Sequence, residues 1–182
     1  GVQQASVRHG DLVQPGDIPD LQSLYLLTMD HDVITLRGCV AGFIQHSALR
    51  SLVRERPKVA EALRHDMLMD AAVFREWIVN VGHRTAESRI AHLILEIYSR
   101  LALINRTKGG RFEFPITQAQ LGEATGLSTV HVNRVLQRLR TQQILESRGG
   151  GFTIQNESRL KEISEFDPAY LHNAPTQFAQ SD

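Results

Sequence analysis

The 182-residue sequence has little of what marks several large classes of protein. Its single cysteine, Cys39, excludes an intramolecular disulfide, a thiolate-held iron–sulfur cluster and a CxxC zinc site. No apolar run approaches the roughly 20 residues that a membrane span needs. Residues 1–13 have neither the basic start nor the apolar stretch of a signal peptide. We therefore expect a cytoplasmic protein with no membrane partner.

Signs of catalysis and of metal binding are also missing. The eight histidines show no HxxxH or HExxH spacing, and no Ser/His/Asp or paired-acid arrangement can be argued. A metal or haem role for His31 or Cys39 is disfavoured, because a cysteine in an apolar strand is more often a small core residue. We expect no enzyme, no metal site and no cofactor.

The net charge of zero conceals an uneven distribution of charge. Residues 1–83 carry 8 basic and 10 acidic side chains, residues 84–161 carry 12 and 6, and residues 162–182 carry 0 and 4. A basic segment between two acidic ones indicates either a nucleic-acid partner for the middle of the chain or a solvated basic face.

The amino-terminal part of the sequence has the pattern of a β domain. Residues 1–24 are rich in glycine, proline and aspartate, which favour turns. Residues 33–45 predict two short strands with a bend at Gly38. Residues 46–56 predict a short helix that Ser47 caps and that ends before Pro57.

A long helix is predicted from Lys58 to about Gly82. An apolar stripe of coiled-coil spacing follows one face of it and is interrupted by Asp70, which either sets the register or lies at its edge. The length favours packing against a second copy over packing in the core of the same chain. The candidate dimer interface consists of Leu63, Met67, Phe74, Ile78 and Val81.

The next segment predicts a helix, a loop and a strand. Thr85 is the expected cap of a helix that continues to about Ile104 at helical spacing. A polar loop over 105–111 and a strand over Phe112–Ile116 are expected to follow.

Residues 117–141 have the spacing of a helix-turn-helix. Thr117 can cap a helix over 118–124, the sequence Thr125-Gly126-Leu127 makes a tight turn, and Ser128 can cap a second helix that continues to about Thr141. Two strands, 144–148 and 152–154, then flank three glycines as a wing. A last helix over 156–166 and a disordered polar tail over 173–182 complete the prediction.

These segments together resemble the Crp/Fnr family of bacterial transcription regulators. The resemblance is carried by SRIAHLILEIYSRL, by FPITQAQLGEATGLSTVHVNRVLQRLRTQQIL, by the glycine wing and by EFDPAYL, and it continues more weakly through residues 16–57. It implies an α+β fold in which 1–56 form part of a β-roll sensor domain. Residues 57–83 are then the dimerisation helix, and 84–172 a winged helix-turn-helix DNA-binding domain.

The sequence departs from the family pattern in its sensor. Family members that bind cyclic AMP hold its phosphate with an arginine, but no arginine lies between Gly16 and His31. We therefore expect an effector other than cyclic AMP, of unknown chemistry.

The resemblance also implies roles for the start of the second helix of the helix-turn-helix, which a winged helix places in the major groove. The expected base-reading residues are Thr129, Val130, Asn133 and Arg134. Arg134 could instead contact a phosphate, and Asn133 could instead cap nearby polar groups. The expected phosphate contacts are Thr117, Gln118, Ser128, His131 and Arg138, of which Arg138 could instead face solvent.

The sequence therefore predicts a dimeric regulator that recognises a double-stranded operator under sensor control, with RNA polymerase as a further candidate partner. The alternative is a ligand-binding or dimerisation module that modulates other regulators without reading DNA.

Overall fold

The computed structural model describes residues 12, 14–28, 33, 35 and 38–172. It contains six α-helices within these residues: α1 His46–Glu55, α2 Pro57–Gly82, α3 Ala86–Leu103, α4 Gln118–Thr125, α5 Thr129–Thr141 and α6 Glu157–Ser164. Short 3-10 helices lie at Leu21–Leu24 and Pro168–Leu171. The predicted tail, 173–182, lies outside the described residues.

A four-stranded antiparallel sheet accompanies these helices. Its strands are β1 Thr107–Lys108, β2 Arg111–Glu113, β3 Leu145–Arg148 and β4 Gly151–Ile154, in the order β1-β2-β4-β3. Phe112 lies opposite Phe152, and Ser147 pairs with Phe152 from the other side. This mixture of helices and a small sheet confirms the predicted α+β class.

Residues 84–172 enclose the main core. Their helices and sheet bury a continuous apolar cluster that also takes in Val73 and Trp77 from α2. Its most deeply buried members include Ile90, Ile94, Leu121, Val132, Leu139 and Leu160. Burial of such side chains stabilises a fold by about 1.5–3 kcal/mol each.

A second and much smaller core lies near the start of α2. Leu21, Leu24 and Leu49 are buried there, and Leu63 and Met67 of α2 pack against them while remaining half-buried. Arg50 donates a hydrogen bond to the carbonyl oxygen of Leu24 at 2.6 Å.

The predicted strands over 33–45 are wrong over 38–45, which contain no regular secondary structure. Residues 34, 36 and 37 lie outside the described part of the chain. A strand becomes stable only when a neighbouring strand pairs with its backbone, and no described residue pairs with 38–45. The interpretation of Cys39 as a small core residue is wrong for the same reason, because its side chain is exposed.

Three smaller predictions also differ from the structure. The helix α1 begins at His46 after Gln45, not at a Ser47 cap, and the His46 ring lies 3.0 Å from Ser23 Oγ. The predicted loop 105–111 contains β1 and the start of β2. The predicted strand 112–116 ends at Glu113, since Pro115 has no N–H to donate to a ladder.

Candidate nucleic-acid interface

The two helices α4 and α5 form a tightly joined pair. Gly126 ends α4 in the left-handed conformation, with φ 68°. A Cβ at Gly122 would stand 2.5 Å from the carbonyl oxygen of Leu127. Only glycine permits such an approach of helix and turn, so these two positions set the angle between the helices.

Side chains at their amino termini hold both helices in place. Thr117 and Gln120 form a reciprocal capping box, in which the Gln120 N–H donates to Thr117 Oγ1 at 3.1 Å and the Thr117 N–H donates to Gln120 Oε1 at 2.8 Å. The N–H of His131 donates to Ser128 Oγ at 3.3 Å. The predicted caps Thr85, Thr117 and Ser128 are therefore confirmed.

The first turns of α5 have one buried face and one exposed face, and most side chains on the exposed face are polar. Val132, Val135 and Leu139 are buried on one face of the helix. The opposite face exposes Thr129, Val130, His131, Asn133 and Arg134, and 70% of Val130 is accessible. All four predicted base-reading residues thus lie at the surface of one helix end.

Asn133 and Arg138 are among the predicted contact residues that already have partners in the protein. Asn133 Nδ2 donates to Gln118 Oε1 at 3.1 Å, so the amide faces α4. Arg138 Nη1 donates to Glu87 Oε2 at 2.9 Å and forms an exposed ion pair with it. The Arg138 guanidinium is therefore already paired with a carboxylate in this structure.

An open groove separates the start of α3 from α5. It has a volume of about 300 Å³. Its lining brings together His131, Arg134 and Arg138 with Glu87 opposite them. Three cationic or ionisable groups on one exposed edge, with one acid that pairs the last of them, form a surface suited to an anionic ligand.

Two further exposed arginines lie at and beside the turn of the hairpin β3–β4, and neither was singled out from the sequence. Arg148 is exposed at its turn, where Gly149 and Gly150 have φ 60° and 74°. Arg111 comes from the neighbouring strand β2, and a Cβ at Gly149 would stand 3.7 Å from its Nη2. The sequence feature that could have indicated them is that each of these arginines directly adjoins a run of two or three glycines.

A half-buried arginine joins the end of α2 to the helix-turn-helix. The Arg89 guanidinium donates to four carbonyl oxygens: those of Val81 and Thr125 at 2.8 Å, Asn80 at 3.1 Å and Arg84 at 3.2 Å. Thr125 closes α4, whereas Asn80 and Val81 close α2. Burial lowers the pKa of Arg89. No sequence pattern indicates this role, because the acceptors are backbone atoms.

The predicted dimer face of α2 is divided between two environments. Leu63 and Met67 are half-buried against the small core of the same chain. Phe74, Ile78 and Val81 lie exposed, with 50%, 73% and 38% of each residue accessible. The stripe is therefore uncovered only in its carboxy-terminal half.

Metal-ligating side chains do not gather in one place within the described ranges. The part of the chain that the structure describes holds no group of three His, Cys, Asp or Glu side chains suited to a metal ion. No helix among the described residues has the length and apolar character needed to cross a membrane.

Comparison with known proteins assigns this surface to a family. Residues 88–163 match the model of the Crp-like helix-turn-helix domain. Residues 88–163 therefore form a Crp-like helix-turn-helix domain, and through it the chain is similar to the Crp/Fnr family of transcription regulators. The match runs from within α3 to within α6, so it contains all of α4, α5 and the wing, whereas Glu87 of the groove lies just before it.

Several relatives agree with this assignment. A probable transcriptional activator of Rhizobium leguminosarum is 29% identical over 92 residues, which are 50% of this chain and 38% of that protein. The transcriptional activator protein FnrL of Cereibacter sphaeroides is 24% identical over 125 residues, 67% of this chain and 50% of its own. The chain thus spans half the length, or less, of these relatives.

A solved structure has the same fold. FixK2 from Bradyrhizobium japonicum superposes with a TM-score of 0.59 at 26% sequence identity, covering 66% of this chain and 59% of that one. The likeness to Crp/Fnr regulators thus rests on the sequence match of residues 88–163 and on the three-dimensional arrangement of the matched part.

Proposed function

We propose that this chain is a dimeric, sequence-specific DNA-binding transcription regulator whose recognition helix is α5. The observation that carries the proposal is the exposed first half of α5, where Thr129, Val130, Asn133 and Arg134 stand on a rigidly capped helix pair. An α-helix fits the major groove of B-DNA, so this edge can reach the bases.

Arg134 carries the largest share of base recognition in this proposal. It lies one helical turn inside α5 and lines the open groove, and a guanidinium can bond the O6 and N7 atoms of guanine together. The Asn133 amide must break or share its hydrogen bond to Gln118 before it can bond an adenine. Thr129 and Val130 complete the reading edge, with the Val130 side chain suited to a thymine methyl group.

The phosphates position this helix without specifying a sequence. Ser128 and His131 stand at its start, and Thr117 and Gln118 stand at the start of α4. Arg138 joins them when its pair with Glu87 opens. Arg111 and Arg148 of the wing extend the basic surface to a second point along the duplex.

The partner that completes the proposed regulator is a second copy of the chain. Phe74, Ile78 and Val81 share one face of α2 at i, i+4 and i+7 spacing, and no described residue of this chain covers them. Two recognition helices from one dimer can then meet two half-sites one turn of DNA apart. RNA polymerase is a further candidate partner.

A sensor for an effector other than cyclic AMP is part of the proposal. Two arginines approach the stretch from Gly16 to Thr28, and both are already engaged there. Arg100 pairs with Asp17 at 2.5 Å, and Arg50 donates to the carbonyl oxygen of Leu24. Neither side chain is free to neutralise a cyclic phosphate.

The function can be tested by in vitro selection of an operator followed by binding assays at two salt concentrations. Arg134→Ala should weaken the selected operator by about 1–3 kcal/mol while affecting scrambled DNA much less. His131→Ala should weaken both duplexes alike and by a smaller factor, since a phosphate contact does not depend on sequence. The readout is fluorescence anisotropy of labelled duplexes.

The matched control is Arg75→Ala, which removes an exposed arginine of α2 far along the chain from α5. It should leave both affinities unchanged. Uniform loss for Arg134→Ala with selective loss for His131→Ala would reverse the assigned roles. Absence of any DNA binding by the wild-type chain would favour the alternative, a module that modulates other regulators without reading DNA.

A further inference from the structure

A buried polar cluster connects three parts of the chain that are distant in sequence. Tyr170, in the 3-10 helix Pro168–Leu171, donates from its hydroxyl to Glu96 Oε2 of α3 at 2.6 Å. Trp77 Nε1 of α2 donates to Glu96 Oε1 at 3.4 Å. His92 Nε2 lies 3.1 Å from Tyr170 Oη. Because the hydroxyl proton is directed at Glu96, His92 is the donor in this last contact.

The protonation of the cluster follows from its burial. Burial and the nearby Arg84 guanidinium lower the pKa of His92 to about 3, so its imidazole is neutral near pH 7. Burial raises the pKa of Glu96, and the hydrogen bonds from Tyr170 and Trp77 oppose that rise, as does Arg100. The Tyr170 hydroxyl, whose pKa burial and Glu96 raise, remains a donor.

A second set of contacts ties the same segment to the loop after α2. Arg84 Nη2 donates to Glu76 Oε1 at 2.6 Å and to the carbonyl oxygen of Glu165 at 3.4 Å. Glu165 itself has a left-handed backbone, with φ 52°, which turns the chain out of α6. The Phe166 ring then packs edge-on to His92, with ring centroids 5.2 Å apart.

These contacts define a carboxy-terminal latch, residues 164–172. The latch follows α6 directly along the chain and lies just beyond the residues that match the Crp-like domain. Its polar and aromatic contacts nevertheless reach α2, through Trp77, through Glu76 by way of Arg84, and through His65, whose ring is 6.4 Å from that of His172. The latch is therefore placed between the proposed dimerisation helix and the domain that carries the proposed recognition helix.

We propose that this latch sets the angle between α2 and the Crp-like domain, with Tyr170 as its positioning residue. The proposal rests on the proposed function, because the angle matters only if two domains must meet two half-sites. In a dimer built on α2, this angle fixes the separation of the two recognition helices. Half-site spacing is a geometric property of such a dimer, so the latch determines which spacing is bound best.

The test uses Tyr170→Phe, which removes the hydroxyl and keeps the ring against His92 and Phe166. Three duplexes carry two selected half-sites at the preferred spacing, one base pair closer and one base pair farther, and a fourth carries one half-site. We expect about tenfold weaker binding at the preferred spacing and a flatter spacing preference, because one buried hydrogen bond no longer holds the latch in the geometry that the preferred spacing requires. Affinity for the single half-site should change by less than about twofold.

Trp77 supplies an independent readout, since it is the single tryptophan of the chain and bonds the same carboxylate as Tyr170. Its emission should shift to longer wavelength in Tyr170→Phe and in a second variant that ends at Asp167. Tyr98→Phe is the matched control, because the Tyr98 ring packs on Phe112 away from the cluster, with centroids 5.5 Å apart. It should change neither the emission nor the spacing preference.

The outcomes separate the two proposals. Equal loss on all four duplexes, or an unchanged spacing preference, would give Tyr170 a merely structural role and overturn the latch. Binding by Tyr170→Phe that matches the wild type on every duplex would overturn the latch as well. Failure of the wild-type chain to bind any duplex would overturn the proposed function, and the role of the latch with it.

Discussion

The two ends of α2 lie in very different surroundings. At its carboxy-terminal end, Val73 and Trp77 enter a core in which Ile90, Ile94 and Val132 are fully buried. At its amino-terminal end, the only buried apolar residues among those described are Leu21, Leu24, Leu49 and Ala60. Apolar side chains are common in both regions, so composition does not separate them.

The difference lies in how many of those side chains are covered. Leu27, Val40 and Phe43 are essentially fully exposed, at 103%, 102% and 98%. Exposed apolar side chains mark an interaction surface where they lie together in one patch, whereas scattered ones are ordinary. Residues 84–172 thus bury a continuous apolar core. The residues before α2 instead leave several large apolar side chains exposed in the described chain.

The largest expected effect compares the two cores directly. Leu139→Ala should lower the free energy of unfolding by about 3 kcal/mol, because it leaves a cavity among residues that cannot close it. Leu49→Ala, in the small core, should cost about 2 kcal/mol, since two of its neighbours there, Leu63 and Met67, are only half-buried and can close part of the cavity. Urea denaturation followed by circular dichroism measures both, and equal costs would show that the two cores are equally well packed.

The second prediction separates the two halves of the α2 stripe. Phe74→Asp should shift a dimer toward monomer and weaken two-half-site DNA binding, because it puts a charge on the exposed half of the face. Its effect on the stability of the monomer should be small. Sedimentation velocity at micromolar concentration gives the oligomeric state.

Leu68→Asp is the control for this change, since Leu68 is 68% exposed on another face of the same helix. It should leave the association unchanged. A wild-type chain that sediments as a monomer would contradict the dimer altogether.

The smallest expected effect concerns Asp70, which lies between the two halves of the α2 stripe. Burial, Asp66 and Asp17 raise its pKa to about 6, against the opposing influence of Arg100. The folded protein therefore binds this proton more tightly than the unfolded chain does. The resulting stability is fully present below about pH 3.8 and is lost as the pH rises through about 6.

Asp70→Asn should accordingly raise the Tm at pH 7 slightly, on the order of 1 °C, and flatten its dependence on pH between about 4 and 7. The effect is small because the side chain keeps contact with solvent. Asp20→Asn, which removes an exposed carboxylate that makes no capping hydrogen bond, serves as the control. An equal change in both variants would assign the effect to net charge.

The same contrast explains what can be predicted from the sequence. The caps Thr85, Thr117 and Ser128, the bounds of α2 to α5 and the wing depend on neighbours within a few residues, and their prediction is confirmed. The strands over 33–45 are not confirmed, because strand pairing depends on residues elsewhere in the chain. The ion pair of Glu87 with Arg138 also joins distant segments. So does the Arg89 clamp, by which we mean the four hydrogen bonds from the Arg89 guanidinium to carbonyl oxygens. No local sequence pattern indicates either contact.

The Arg89 clamp has a mechanical consequence. A guanidinium is planar and stiff, so the four carbonyl oxygens around it are held at fixed distances from one another. Hydrogen bonds weaken steeply beyond about 3.2 Å, which leaves only a few tenths of an ångström of play. A displacement of the end of α2 must therefore carry the end of α4 with it or break the clamp. The peptide ends of two helices, 44 positions apart at Val81 and Thr125, move as one rigid part.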